Sequence, residues 1–146
     1  LALACDIIIA SDNARLGLPE PRVGVVAGAG AAHFLPRALP RKIAMGILLT
    51  GNQFGATEAL NWGLVNDVVG SNSLMTTAEQ WASYIKECAP LAIRATKQMA
   101  ILGLDRPLIQ AMSDTYPEYQ NAKLSEDYIE GPRAFAQKIK YEWLGR

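Results

Sequence analysis

Three successive isoleucines, Ile7-Ile8-Ile9, end an apolar run that starts at Leu1 and closes at Ala10. β-branched residues in a row fit a strand covered on both faces, the kind found in parallel sheets flanked by helices. The chain is therefore expected to be α/β. Asp12-Asn13 makes a turn, and Ala14 to Leu18 reads as a second short strand. That strand delivers Pro19-Glu20 at its end, where α/β proteins commonly place their sites. Small residues from Gly28 to Leu35 predict a short helix stopped by Pro36. Pro40 opens a helix over 41–49 that ends near Gly51, and a helix over 56–62 is stopped by Gly63. Residues 64–69 read as a strand. Beyond it, Leu74, Ala78, Trp81, Ala82 and Ile85 share one helix face, and Leu91, Ala95, Met99 and Leu102 share another. Pro107 begins a further helix that Pro117 interrupts, Ser125 caps a short turn, and Pro132 begins a helix over 133–140. Residues 1–70 are thus expected to form the α/β part and 71–146 a helical region.

Within this frame the stretch from Leu16 to Ala31 carries the chemistry. Glu20 stands between Pro19 and Pro21, and the two rings predict a stiff, extended backbone under the carboxylate. The turn Gly28-Ala29-Gly30 allows the main chain to approach a ligand closely, and a helix starting there would offer unpaired N–H groups to a polarised oxygen. A carboxyl held near Leu18, Val23 and Val25 has the setting of a general acid/base; Arg22 would oppose that role if it paired with it. The alternative is a solvated glutamate in a Pro-Gly surface loop, and these residues alone leave both open.

Other chemistries find less support. Fourteen basic and fourteen acidic side chains cancel, with no run of one sign, so neither nucleic acid nor a membrane surface is expected as a partner. No apolar stretch reaches the roughly 20 residues of a membrane span. His33 stands alone, which argues against a metal cluster, and it reads as a structural or rim residue. Cys5 and Cys88 lie in apolar contexts and are expected to be reduced, buried thiols in an intracellular compartment, the cytoplasm or the mitochondrial matrix. Gly28-x-Gly30 lacks the third glycine and the Lys-Ser/Thr of nucleotide loops, and no Gly-x-Ser-x-Gly elbow exists. The opening at Leu1, inside an apolar run without cap or turn, suggests an element that starts earlier in a longer chain.

Taken in order, several segments resemble the crotonase superfamily, the enoyl-CoA hydratases and isomerases. They are Leu1-Ala-Leu-Ala-Cys-Asp-Ile-Ile-Ile-Ala10, Leu16-Gly-Leu-Pro-Glu20, Gly24-x-x-x-Gly28-Ala-Gly30, Leu35-Pro-Arg37, Leu49-Thr-Gly51, Glu58-Ala-x-x-x-Gly-Leu-Val65 and Ala134-Phe-x-x-Lys138. The resemblance implies a crotonase-like (ClpP/crotonase) spiral of ββα units, of which residues 1–70 would be the last core strands and 71–146 the helical trimerisation region. It implies an acyl-CoA substrate, no cofactor beyond the coenzyme A that the substrate carries, no metal, and a homotrimer or a hexamer of two trimers. Glu20, after Pro19 in the substrate pocket, matches the glutamate that exchanges a proton with the α-carbon while water is added at the β-carbon. Gly28 matches a glycine whose N–H positions water or substrate. Phe135 and Lys138 match residues that contact the adenine and phosphate end of coenzyme A. The oxyanion-hole donors and a first catalytic glutamate would lie ahead of Leu1, so these 146 residues alone are expected to be inactive. Ala31 departs from the usual second glycine, and Gln137-Lys138-Ile139 from a Glu-Lys-Arg run. The expected activity is an enoyl-CoA hydratase or dehydratase. A Δ3,Δ2-enoyl-CoA isomerase is the alternative within enzymes, and a non-catalytic assembly or binding module the alternative outside them.

Overall fold

The computed structural model describes residues 1–146, which divide into two compact units, Leu1–Gln80 and Trp81–Arg146. The division falls inside a helix, beyond the change of pattern near residue 70.

In the first unit, β1 (Ile9–Ser11) pairs in parallel with β4 (Asp67–Val69), aligning Ala10 with Val68. Asn66 extends the pairing with two bonds: its N–H donates to the Ile8 carbonyl (2.8 Å), and its side-chain oxygen accepts the Ile8 N–H (2.9 Å). β2 (Arg15–Leu16) pairs antiparallel with β3 (Phe54–Gly55). Both sheets have two strands. Only Ile9 of the isoleucine run enters this three-residue strand, which has one paired neighbour, and Ile7 to Ile9 are half-buried rather than covered on both faces. Ahead of it, Ala2–Ala4 form a 3₁₀ turn.

Three helices close the core. In α1 (Ala31–Ala38) Pro36 lies inside the helix instead of stopping it. A proline two residues from the end forgoes one hydrogen bond, and burial of Leu35 (2% exposed) and Leu39 (5%) offsets that loss. α2 (Arg41–Thr50) follows Pro40 and ends on Gly51 at φ 63°, as the Pro-before, Gly-after pattern predicts. In α3 (Ala56–Asn61) the Glu58 carboxylate accepts the Gly55 N–H at 2.8 Å, so the glutamate is a cap. The core unites Ala10, Leu35, Ile47, Phe54 and Val65 with the nearly inaccessible alanines 44, 56 and 59. Strand β4 is shorter than expected because Leu64 and Val65 are buried in the turn that precedes it.

α4 (Leu74–Lys86) begins in the first unit and ends in the second. In the second unit, α5 (Pro90–Gly103) packs against α6 (Leu108–Ser113) and α7 (Pro117–Lys123). Pro117 ends nothing here: at the first position of α7 its fixed φ favours a new helix, which sequence reasoning missed. Buried Tyr116 anchors that junction, its hydroxyl donating to the Ala111 carbonyl at 2.9 Å. α8 (Glu126–Ala136) is one helix, starting six residues before the expected Pro132. Ser125 caps it by accepting the Tyr128 N–H (3.2 Å), and Glu126 and Asp127 supply the acidic first turn. No helix is long and apolar enough to cross a membrane. Cys5 and Cys88 are exposed, contrary to expectation, since one follows the 3₁₀ turn at the surface and the other the end of α4.

Candidate active site

The backbone that carries Glu20 is not extended. Pro19 adopts helical angles (φ −77°, ψ −2°), and Glu20–Val23 form a 3₁₀ turn closed by Arg22 N–H to Pro19 O (2.9 Å) and Val25 N–H to Glu20 O (3.0 Å). Pro21 fits because the second position of such a turn needs no N–H donor, and Gly24 ends the turn at φ 77°. The rigidity inferred from the prolines thus arises as a hydrogen-bonded turn.

Arg22 does not pair with Glu20. Its Nε donates to the Thr50 carbonyl at 2.9 Å, its Nη2 bonds Asn52 Oδ1, and its stem lies over Gly51. With the guanidinium committed to that loop, Glu20 Oε2 is buried and has no hydrogen-bond partner. An orphaned carboxylate oxygen is costly in a folded chain and demands an explanation; a group kept ready for a ligand proton is one.

Glu20 lines a cavity of about 620 Å³ with Leu3, Leu18, Phe34 and Leu35, a size ordinary for small-molecule clefts. Its apolar wall differs from the one expected, because Val23 and Val25 are 76% and 57% exposed. Gly28 and Ala29 line the same cavity. The N–H groups of Gly28, Ala29 and Gly30 donate to no acceptor in the chain, while the Gly28 carbonyl accepts from Ala31 (3.0 Å) and the Gly30 carbonyl from His33 and Phe34 (both 2.9 Å). Gly28, Ala29 and Glu20 thus border one cavity, the two backbone N–H groups without an acceptor in the chain and the carboxylate oxygen Oε2 without a donor. Ala29 holds φ 50° to shape it, a left-handed conformation that sequence patterns do not assign to alanine. Arg15 also reaches this cavity, unannounced by any motif.

Pro19 supports the turn without lining the cavity. Phe135 and Lys138 belong to the second unit: Phe135 is 86% exposed at the edge of a separate cavity of about 610 Å³, and Lys138 is exposed just past α8. His33 is exposed on α1, its carbonyl accepting a bond from Arg37 at 2.9 Å. No group of three or more His, Cys, Asp or Glu is placed to hold a metal ion.

Comparison with known proteins yields a match to the family described as enoyl-CoA hydratase/isomerase over residues 1–146. The (E)-benzylidenesuccinyl-CoA hydratase of Thauera aromatica is 44% identical over 138 residues, covering 94% of this chain and 54% of that protein. The carnitinyl-CoA dehydratase of Proteus mirabilis is 41% identical over 150 aligned residues, covering 100% of this chain and 58% of that protein. Among solved structures, an enoyl-CoA hydratase from Mycobacterium tuberculosis superposes with a TM-score of 0.93 at 32% identity, covering 99% of this chain and 57% of that one. The chain spans a little over half the length of the relatives it matches.

Proposed function

The chain belongs to the enoyl-CoA hydratase/isomerase family and has its crotonase-like fold, and from that premise we propose that the whole protein adds water to an enoyl-CoA thioester, or removes it, with Glu20 as general acid/base. The observation that carries this reading is that Glu20, whose Oε2 is buried without a partner, and Gly28, whose N–H has no acceptor in the chain, line one cavity. In the hydration direction, the water oxygen bonds the β-carbon and gives up one proton to the first catalytic glutamate that the family resemblance implies, the α,β double bond becomes a single bond, and protonated Glu20 delivers its proton to the α-carbon. Dehydration runs the same steps backwards, Glu20 taking the α-proton while the β-hydroxyl receives a proton from the other acid and leaves as water. The Gly28 N–H supports the water or substrate oxygen. Because the curated relatives are a hydratase and a dehydratase, net movement of water is preferred over isomerisation. No cofactor is needed beyond the coenzyme A of the substrate, whose nucleotide end falls to Phe135 and Lys138.

The assembly proposed is a homotrimer, alone or paired into a hexamer. Leu108, Ile109 and Met112 on α6 are 73–85% exposed, an apolar face that fits subunit packing.

Glu20→Gln in the whole protein tests the catalytic assignment. Loss of a positioned acid/base removes on the order of 10²–10⁴-fold in rate. Wild-type hydration of a short enoyl-CoA by this variant would make Glu20 a structural residue.

A further inference from the structure

The chain beyond α8 has no regular secondary structure, yet it is tied down along its length. α8 ends at Ala136, and the main chain reverses at Lys138, which holds φ 57°. Two bonds fix the reversal: Lys138 N–H to Phe135 O (3.1 Å) and Ile139 N–H to Ala134 O (2.9 Å). This is the double-bonded helix ending that glycine usually provides, here carried by a lysine at a steric cost. The tail then returns along α8 to the helix start. There Asp127, 4% exposed, accepts the Leu144 N–H on Oδ1 (2.9 Å) and the Gly145 N–H on Oδ2 (2.8 Å), and the Glu126 N–H donates to the Arg146 carbonyl (2.7 Å).

Midway, Trp143 lies over Gly131, where an added Cβ would stand 2.8 Å from the indole ring. The indole N–H donates to the Glu87 carbonyl at 2.7 Å, and Tyr141 packs on it edge to face. Residues 127–138 of the helical arm span about 16 Å at 1.5 Å per residue. Residues 138–144 of the return arm reach about 20 Å fully extended. The return arm has little slack, so the clasp at its base constrains the turn at its tip.

We propose that Asp127 is a positioning residue, which holds closed a helix-and-strap hairpin whose tip presents Phe135 and Lys138. That the tip meets the nucleotide end of coenzyme A rests on the function proposed above; the clasp itself does not. Asp127→Asn replaces one acceptor oxygen by an NH₂ group facing a backbone donor, and so opens the base. Gly131→Ala lifts Trp143 and loosens the same strap without touching the carboxylate.

Two measurements on the whole protein test it. In hydrogen exchange, both variants should speed the amides of Leu144 and Gly145 and also that of Ile139 at the tip. In kinetics, both should raise KM for an enoyl-CoA roughly tenfold, equivalent to about 1.4 kcal/mol, and leave kcat unchanged. KM for the matching enoyl-pantetheine thioester, which lacks the nucleotide, should not move. An Ile139 amide as protected as in the wild type, or a parallel rise of KM for both thioesters, overturns the proposal. If the wild type turns over neither thioester, the acyl-CoA reading fails, and the exchange result alone decides the clasp.

Discussion

Replacing Glu20 by leucine should make the protein more stable while abolishing the proposed chemistry. Oε2 is buried without a donor, and an unsatisfied buried polar group costs about 1–3 kcal/mol. Glu20 as a residue is only half-buried, so the lower part of that range applies, about 1–1.5 kcal/mol. The cavity around it is lined by Leu3, Leu16, Leu18 and Leu35, which would accept a leucine side chain without a new polar contact. For a chain of 146 residues 1 kcal/mol shifts the melting temperature by about 2–4 °C. The expected gain is then roughly 2–6 °C, read by circular dichroism on wild type, Glu20→Gln and Glu20→Leu. Glutamine should melt near wild type, because its amide oxygen and nitrogen meet the same absence of partners. A leucine variant that melts at or below the wild-type temperature would refute the argument, since it would mean that the carboxylate is satisfied or that the cavity cannot take the apolar group.

Ala29→Gly should raise stability by about 1 kcal/mol, because glycine adopts φ 50° without a Cβ clash; a thermal melt with no increase would show that the turn is unstrained. Ile109→Asp should shift the assembled protein towards monomer by light scattering, as a charge on an 85% exposed apolar position is harmless alone and costly once covered; an unchanged mass would remove α6 from the interface. The purified 146-residue chain should show no turnover of crotonyl-CoA, because it spans only 54–58% of its hydratase and dehydratase relatives and the oxyanion donors that the resemblance places ahead of Leu1 usually supply the largest single contribution. Measurable turnover would mean that the active site has been misplaced.

What could be read from the sequence depended on whether the deciding interaction was local. Caps and stops were legible: Pro40 and Gly51 bound α2, and Pro90 and Gly103 bound α5, because each acts within a turn of its own position. Interior prolines mislead. Pro36 and Pro132 sit inside α1 and α8, where tertiary burial and the Ser125 cap outweigh one lost bond. Glu20 was legible as a candidate from its proline setting, but what distinguishes it is non-local. Arg22 could have neutralised it, and only the loop from Thr50 to Asn52, about thirty residues on, draws the guanidinium away. The apolar surroundings of Glu20 also come from Leu3 and Phe34 rather than from adjacent valines, which face outward. Asp127 was invisible for the same reason, since its partners Leu144 and Gly145 are backbone groups with no side-chain signature.

Two residues other than glycine hold positive φ, Ala29 at 50° and Lys138 at 57°. Neither is a type that adopts this conformation at low cost, so surrounding structure must impose it. Ala29 stands between two glycines in the turn that borders the Glu20 cavity; Lys138 stands at the tip of the hairpin clasped by Asp127. Strain of this kind persists where the surrounding structure over-determines a particular backbone direction. At residue 29 the requirement is for the direction of the N–H groups, and glycine should satisfy it. At residue 138 the requirement includes the amine, so glycine would relax the backbone and remove the charge proposed to meet a phosphate. The two outliers therefore serve the proposed acid/base chemistry and the proposed nucleotide contact by different physical routes.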